Sequence, residues 1–172
     1  MQISPSMETF IRHWGEMGAR WGVNRSIAQI HALLFLSEDP LPADDIADAL
    51  EIARSNVSTS LKELMGYQLV ELVHRPQDRR DHFRAKQDPW DMVLAIVEER
   101  KRREIDPALA MVRSCAVQAG TDPETPKGAR LRITAMLELL TELDAFYAQV
   151  RRLSPPTLKR AVKMGDKLIR MI

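Results

Sequence analysis

The stretch IADALEIARSNVSTSLKELMGYQLV, from Ile46 to Val70, constrains the fold more than any other part of the chain. Ile46, Ala47 and Leu50 recur at helical spacing, the pattern breaks around Glu51 to Ala53, and Val57, Leu61 and Leu64 resume it. Two short helices joined by so tight a turn must cross, so these apolar positions share one seam, with Ile52 filling the turn and Ala47 small where the crossing is closest. The seam leaves Arg54, Ser55, Asn56, Ser58, Thr59 and Lys62 on the outer face, and Glu63 is the only carboxylate between Arg54 and Leu64. Serine, threonine and asparagine are mediocre helix formers, so their concentration on one face needs a reason other than helix stability. A helix that enters the major groove of double-stranded DNA has one: short donors and acceptors approach base edges without bulk, and carboxylates would be repelled by phosphate.

The flanks fit the same plan. Ser4 and Pro5 open a first helix whose apolar face carries Met7, Phe10, Ile11, Trp14, Met17, Gly18 and Trp21, with Gly22 as its stop. A second helix follows Asn24 and carries Ile27, Ile30 and Leu34, until Pro40 and Pro42 break the pattern. A third spans about 43–50, and the quoted helix then starts near Arg54 or Ser55. Period two appears next, in LVELVHR and HFRAK, which the pattern predicts as two short strands with PQDRRD as the exposed hairpin loop between them. Helical spacing returns after Pro89, with Trp90, Val93, Leu94, Ile96 and Val97 leading into EERKRRE. Glu98–Arg102 and Glu99–Arg103 stand there at i, i+4, so the charge run is expected to be a solvated helix face. Asp106 is expected to cap a helix that restarts at Pro107. GTDPETPKG is a loop, a long helix covers about 128–152, and Ser154 and Pro155 open a final amphipathic helix.

The expected fold is mainly α: a winged helix-turn-helix, with a three-helix core and a two-stranded β-wing, between long N- and C-terminal dimerisation helices. The expected divisions are 1–23 (N-terminal helix contributing to dimerisation), 24–88 (winged helix-turn-helix) and 89–172 (C-terminal helical region). The recognition helix is about 54–67 and the wing 76–82. Arg79 and Arg80 at the wing tip are placed to reach a minor groove or its phosphates, with Arg75 and Arg84 on the strands behind them and Asp78 positioned to orient an arginine. Between Ile52 and Gln87 seven basic residues face four acidic ones, a modest excess in a chain of net charge +1.

Other classes find little support. One cysteine, Cys115, excludes an internal disulfide framework and a cysteine-based zinc site. None of the four histidines has a histidine partner at i+3 or i+4, and there is neither a glycine-rich phosphate loop nor a Gly-x-Ser-x-Gly elbow. No catalytic residue, metal site or cofactor is expected. With no membrane span and no signal peptide visible, the expected location is cytoplasmic.

IADALEIARSNVSTSLKELMGYQLVELVHRPQDRRDHFRA resembles the MarR family of winged-helix transcription regulators, in its inward pattern, its RSNVS helix start and the Asp-x-Arg of its wing (Asp78, Arg80). HWGEMGARWGVNRSIAQIHALLFL and DPWDMVLAIVEERKRREIDPAL resemble the GbsR-like branch, and the likeness covers roughly residues 8–115. Glu51 departs from it, standing where many relatives have glycine, and must avoid φ > 0 or tolerate it at a cost. The resemblance implies a homodimer built from terminal helices, and a sequence-specific regulator, expected to be a repressor, on an inverted-repeat operator. It also implies a small-molecule effector. A quaternary ammonium compound would suit an aromatic cage, with Phe10, Trp14, Trp21 and Trp90 as candidate walls, although an aromatic stripe at helical spacing ordinarily packs a core or dimer seam. Cys115 is a candidate redox switch or, more simply, a packed thiol. The competing function is a winged-helix module that binds protein without specific DNA binding; Arg79 and Arg80 beside a carboxylate-poor helix face argue against it.

Overall fold

A computed structural model describes residues 3–76 and 78–169, with side chains described as far as residue 165. The chain divides into two compact units between Val97 and Glu98.

In the first unit, α1 (Pro5–Arg20) starts where expected: the Ser4 hydroxyl accepts from the Met7 N–H at 3.4 Å and Pro5 occupies the first turn. α2 (Arg25–Leu36) is capped by Asn24, whose Oδ1 accepts from the Ser26 N–H at 2.8 Å. This helix is the spine of the core, with Ile30, Leu33 and Leu34 at most 1% exposed. α3 (Ala43–Leu50) and α4 (Arg54–Gly66) form the helix-turn-helix. Ile46, Val57, Leu61 and Leu64 are sealed in the seam, and Ala47, Leu50 and Ile52 pack on its margin. Glu51 takes the left-handed conformation at φ 53°, and the Ile52 N–H reaches back to the Ala47 carbonyl at 3.1 Å. The turn therefore keeps the geometry that glycine favours and carries the cost of a side chain there.

Two expectations about the hairpin need correction. The strands are β2 (Val70–Arg75) and β3 (Asp78–Ala85), so Asp78, Arg79, Arg80 and Asp81 lie on a strand rather than in a loop. Arg75 pairs with Asp78 across the tip, leaving a very short connection; Gln77 lies outside the described residues. The sheet also has three strands, not two. β1 (Leu41–Pro42) pairs antiparallel with Phe83 and His82, giving the order β1-β3-β2. A proline fits there because an edge strand can lack a donor.

α5 (Pro89–Arg100) starts in the first unit, where Asp88 caps it through the Trp90 N–H at 2.7 Å and Met92 joins the core. A π-helical turn over Lys101–Ile105 then leads into α6 (Asp106–Thr121). Pro107 has no N–H to offer the carbonyl four residues back, and widening the preceding turn accommodates its ring. Asp106 is not a cap: it is itself helical, and its carboxylate pairs with Lys101. The expected Glu98–Arg102 pair is also replaced. Glu99 takes both Arg102 and Arg103, while Glu98 accepts from the Tyr147 hydroxyl at 2.6 Å and pairs with Arg151. The charge run is thus partly an internal lattice of the second unit, not wholly a solvated face. α7 (Lys127–Arg151) and α8 (Pro155–Ile169) complete that unit. No described helix is long and apolar enough to cross a membrane.

Candidate nucleic-acid interface

α4 presents two faces with opposite chemistry. Its seam is buried, and Arg54, Ser55, Asn56, Ser58, Thr59 and Lys62 are all exposed on the other side. Its N-terminus has no side-chain cap and no acidic residue in the first turn. The first N–H groups and the positive end of the helix dipole therefore remain open to an anion. The Thr59 hydroxyl donates to the Ser55 carbonyl at 3.1 Å. Asn56 is more committed: its amide donates to the Ser26 hydroxyl at 3.2 Å and its Oδ1 accepts from the buried Ser60 at 3.4 Å. Asn56 thereby ties α4 to α2; Ser55, Ser58 and Lys62 make no side-chain hydrogen bond or ion pair among the described residues, whereas Arg54 is paired. Ser60, one of the crowded polar residues, belongs to the interior at 2% exposure.

The wing arginines differ from one another. Arg79 is exposed and makes no ion pair among the described residues. Arg80 is held: its Nε and Nη2 donate to Asp78 Oδ2 at 2.9 and 2.6 Å, and Nη1 donates to Asp45 Oδ1 at 3.2 Å. The hydrogen bond from the Arg80 guanidinium lowers the Asp78 pKa to about 2, so the pair persists through neutral pH. Beneath it lies His82, 3% exposed, with Nδ1 2.8 Å from the Arg80 carbonyl and Nε2 3.4 Å from Asp78. Arg75 pairs with Asp39, and Arg54 with Asp44. Arg84 stands apart, opposite Glu71 at the base of the hairpin, where it lines a shallow groove with Met65 and Lys86. Between α4 and the wing runs a second groove of about 360 Å³, with Arg54, Ser58, Lys62 and Arg80 on its walls and Leu61, Leu72 and Phe83 among its apolar lining. Sequence reasoning found Asp78 as a partner for an arginine but missed Asp39, Asp44 and Asp45. Asp44 and Asp45 stood in view as a short acidic run, but their pairing across elements has no local signal.

Of the four candidate aromatic walls, Phe10 and Trp14 are brought into contact. They stack at 5.4 Å and 16°, with Phe35 and His31 beside them. Trp21 is 57% exposed at the far end of α1, and Trp90 sits in the first turn of α5. Cys115 is half-buried in the second unit with its thiol 3.6 Å from the Met111 sulfur. Among the described residues no three His, Cys, Asp or Glu side chains gather as a metal site.

Residues 21–81 match the family model described as MarR family. A crystal structure of a transcriptional regulator aligns with a TM-score of 0.67 at 19% identity, covering 92% of this chain and 99% of that one, so the two share a fold. A structure of the Staphylococcus aureus MepR–DNA complex aligns at 0.39 and 19% identity, over 78% of this chain and 91% of that one. The transcriptional regulator Tm0710 from Thermotoga maritima aligns at 0.40 and 14%, over 87% and 94%. No curated protein matches the chain. Residues 21–81 are thus similar to the MarR family, and the chain shares the winged-helix fold of the first of these structures.

Proposed function

We propose that this chain is a dimeric, sequence-specific DNA-binding transcription regulator of the GbsR-like branch, acting as a repressor in the cytoplasm. α4 enters the major groove, and the wing reaches the neighbouring minor groove or its phosphates. One observation carries the reading: the uncapped N-terminus and short polar face of α4 stand beside a hairpin that offers Arg79, without an ion pair among the described residues, and one oriented arginine, Arg80. Phosphate contacts position such a domain, and groups such as Ser55 and Ser58 meet base edges. A module that binds only protein has no need of this pairing.

The second copy is supported by apolar surface. No α7 residue is buried, and Leu131, Leu139, Leu143 and Phe146 are 62%, 49%, 53% and 65% exposed. α8 adds Val162 and Met164 at 64% and 51%. Side chains this apolar at helical spacing are interface material. The division of labour follows: 24–88 binds DNA, and 1–23 with 89–172 dimerises.

Fluorescence anisotropy on promoter DNA tests the reading. Wild type is expected to bind with an affinity that falls steeply between 50 and 200 mM salt, on the order of 10²-fold or more. The Arg79→Ala/Arg80→Ala variant is expected to lose about two units of the salt slope and about tenfold or more in affinity. Salt-independent binding, or a variant indistinguishable from wild type, would overturn it.

A further inference from the structure

Two of the arginines that face the groove between α4 and the wing are already engaged by carboxylates from the first turn of a different helix. Asp44 of α3 meets Arg54 of α4, and Asp45 of α3 meets Arg80 of β3. Arg80 shows how the work is divided. Asp78, two residues away on the same strand, grips one edge of the guanidinium and fixes its direction. Asp45 takes Nη1, which would otherwise remain free to donate outward. Asp44, Arg54 and Arg80 all line the groove that carries Ser58 and Lys62. Both pairs are wet: the side chains are 64% and 43% exposed in one, 52% and 42% in the other. Exposed ion pairs of this kind hold weakly and give way to a competing anion.

We propose that Asp44 and Asp45 are positioning residues that occupy Arg54 and Arg80 as internal stand-ins for phosphate and so lower the protein's grip on DNA that offers no base contacts. The inference rests on the DNA-binding reading above. Free protein keeps its phosphate-facing arginines neutralised and aimed, and a duplex must displace the carboxylates to use them. An arginine already paired has fewer counterion-releasing contacts to offer, so the carboxylates flatten the salt dependence as well as weakening binding. Matching base edges on α4 repay the displacement, and a random sequence does not. The cost falls on every duplex alike, so the carboxylates set how much base contact a duplex must supply before it is held.

The test uses a duplex of arbitrary sequence, with anisotropy across a salt series. Asp44→Asn/Asp45→Asn is expected to tighten binding about threefold to tenfold and to steepen the salt slope by about one to two units. Asp48→Asn is the control: Asp48 is exposed on the same helix, makes no ion pair among the described residues, and removes one negative charge. It is expected to change both quantities little. The gain from Asp44→Asn is also expected to vanish in an Arg54→Ala background. An equal gain from Asp48→Asn, a gain that survives without Arg54, or no gain at all overturns the proposal. If the double variant proves unstable, because acidic side chains also favour the start of α3, the single variants Asp44→Asn and Asp45→Asn carry the same expectations at half the size. Failure of wild type to bind any duplex at low salt would instead remove the DNA-binding reading, and with it this inference.

Discussion

His31 is the most conspicuous single residue in the first unit. It is 3% exposed, packed between Trp14 and Phe35, and its Nε2 finds no hydrogen-bond partner among the described residues. Burial pushes its pKa down to about 4, so the folded protein keeps the ring neutral while the unfolded chain protonates near 6.5. The unfolded state binds more protons between those values, so stability is full above about 6.5 and falls as pH drops towards 4. Denaturant unfolding at pH 7 and pH 5 is expected to show a loss of about 2 kcal/mol that His31→Phe lacks. Identical pH dependence in both proteins would contradict this. The sequence shows His31 on a helix at a packed boundary; that it stands within a ring cluster depends on α1 crossing α2, which no local pattern encodes.

At the scale of elements, local signals were the ones legible in the chain. The α4 seam, the Ser4 cap, the helix after Asn24 and the start of α4 all follow from spacing within a few residues, and the structure has them. β1 was not legible, because two residues, one a proline, become a strand only by pairing with Phe83 some forty positions away. The hairpin was placed but cut short: charged Asp78, Arg79 and Arg80 look like loop, yet the sheet edge here faces solvent and tolerates them. The α1–α2 crossing gives the sharpest test at this scale. A Cβ on Gly18 would lie 2.6 Å from the Ala28 Cβ, a contact with no flexible end to yield. Gly18→Ala gains helix propensity of about 1 kcal/mol, but overpacking costs about 1–3 kcal/mol, so a net loss is expected in thermal unfolding. Ala28→Gly in the same chain should restore the crossing. A more stable single variant would show that the helices are not so close.

For the whole molecule, the proposed function needs a winged helix that meets DNA and apolar helix faces that meet a second copy. The candidate interface was readable residue by residue in α4 and the wing, because its chemistry is local. Its acidic partners, Asp39, Asp44 and Asp45, were not, because each meets an arginine from another element. Of the aromatic walls, Phe10 and Trp14 meet, with Phe35 and His31 beside them. A two-fold dimer places its two α4 helices about one DNA turn apart, roughly 34 Å. Selection of binding sites from random-sequence duplexes, followed by footprinting of the winning site, tests this central claim most directly. The expected result is an inverted repeat whose two protected half-sites lie about 10 base pairs apart, centre to centre. A single asymmetric half-site filled by one chain, or no enriched sequence at all, would contradict it.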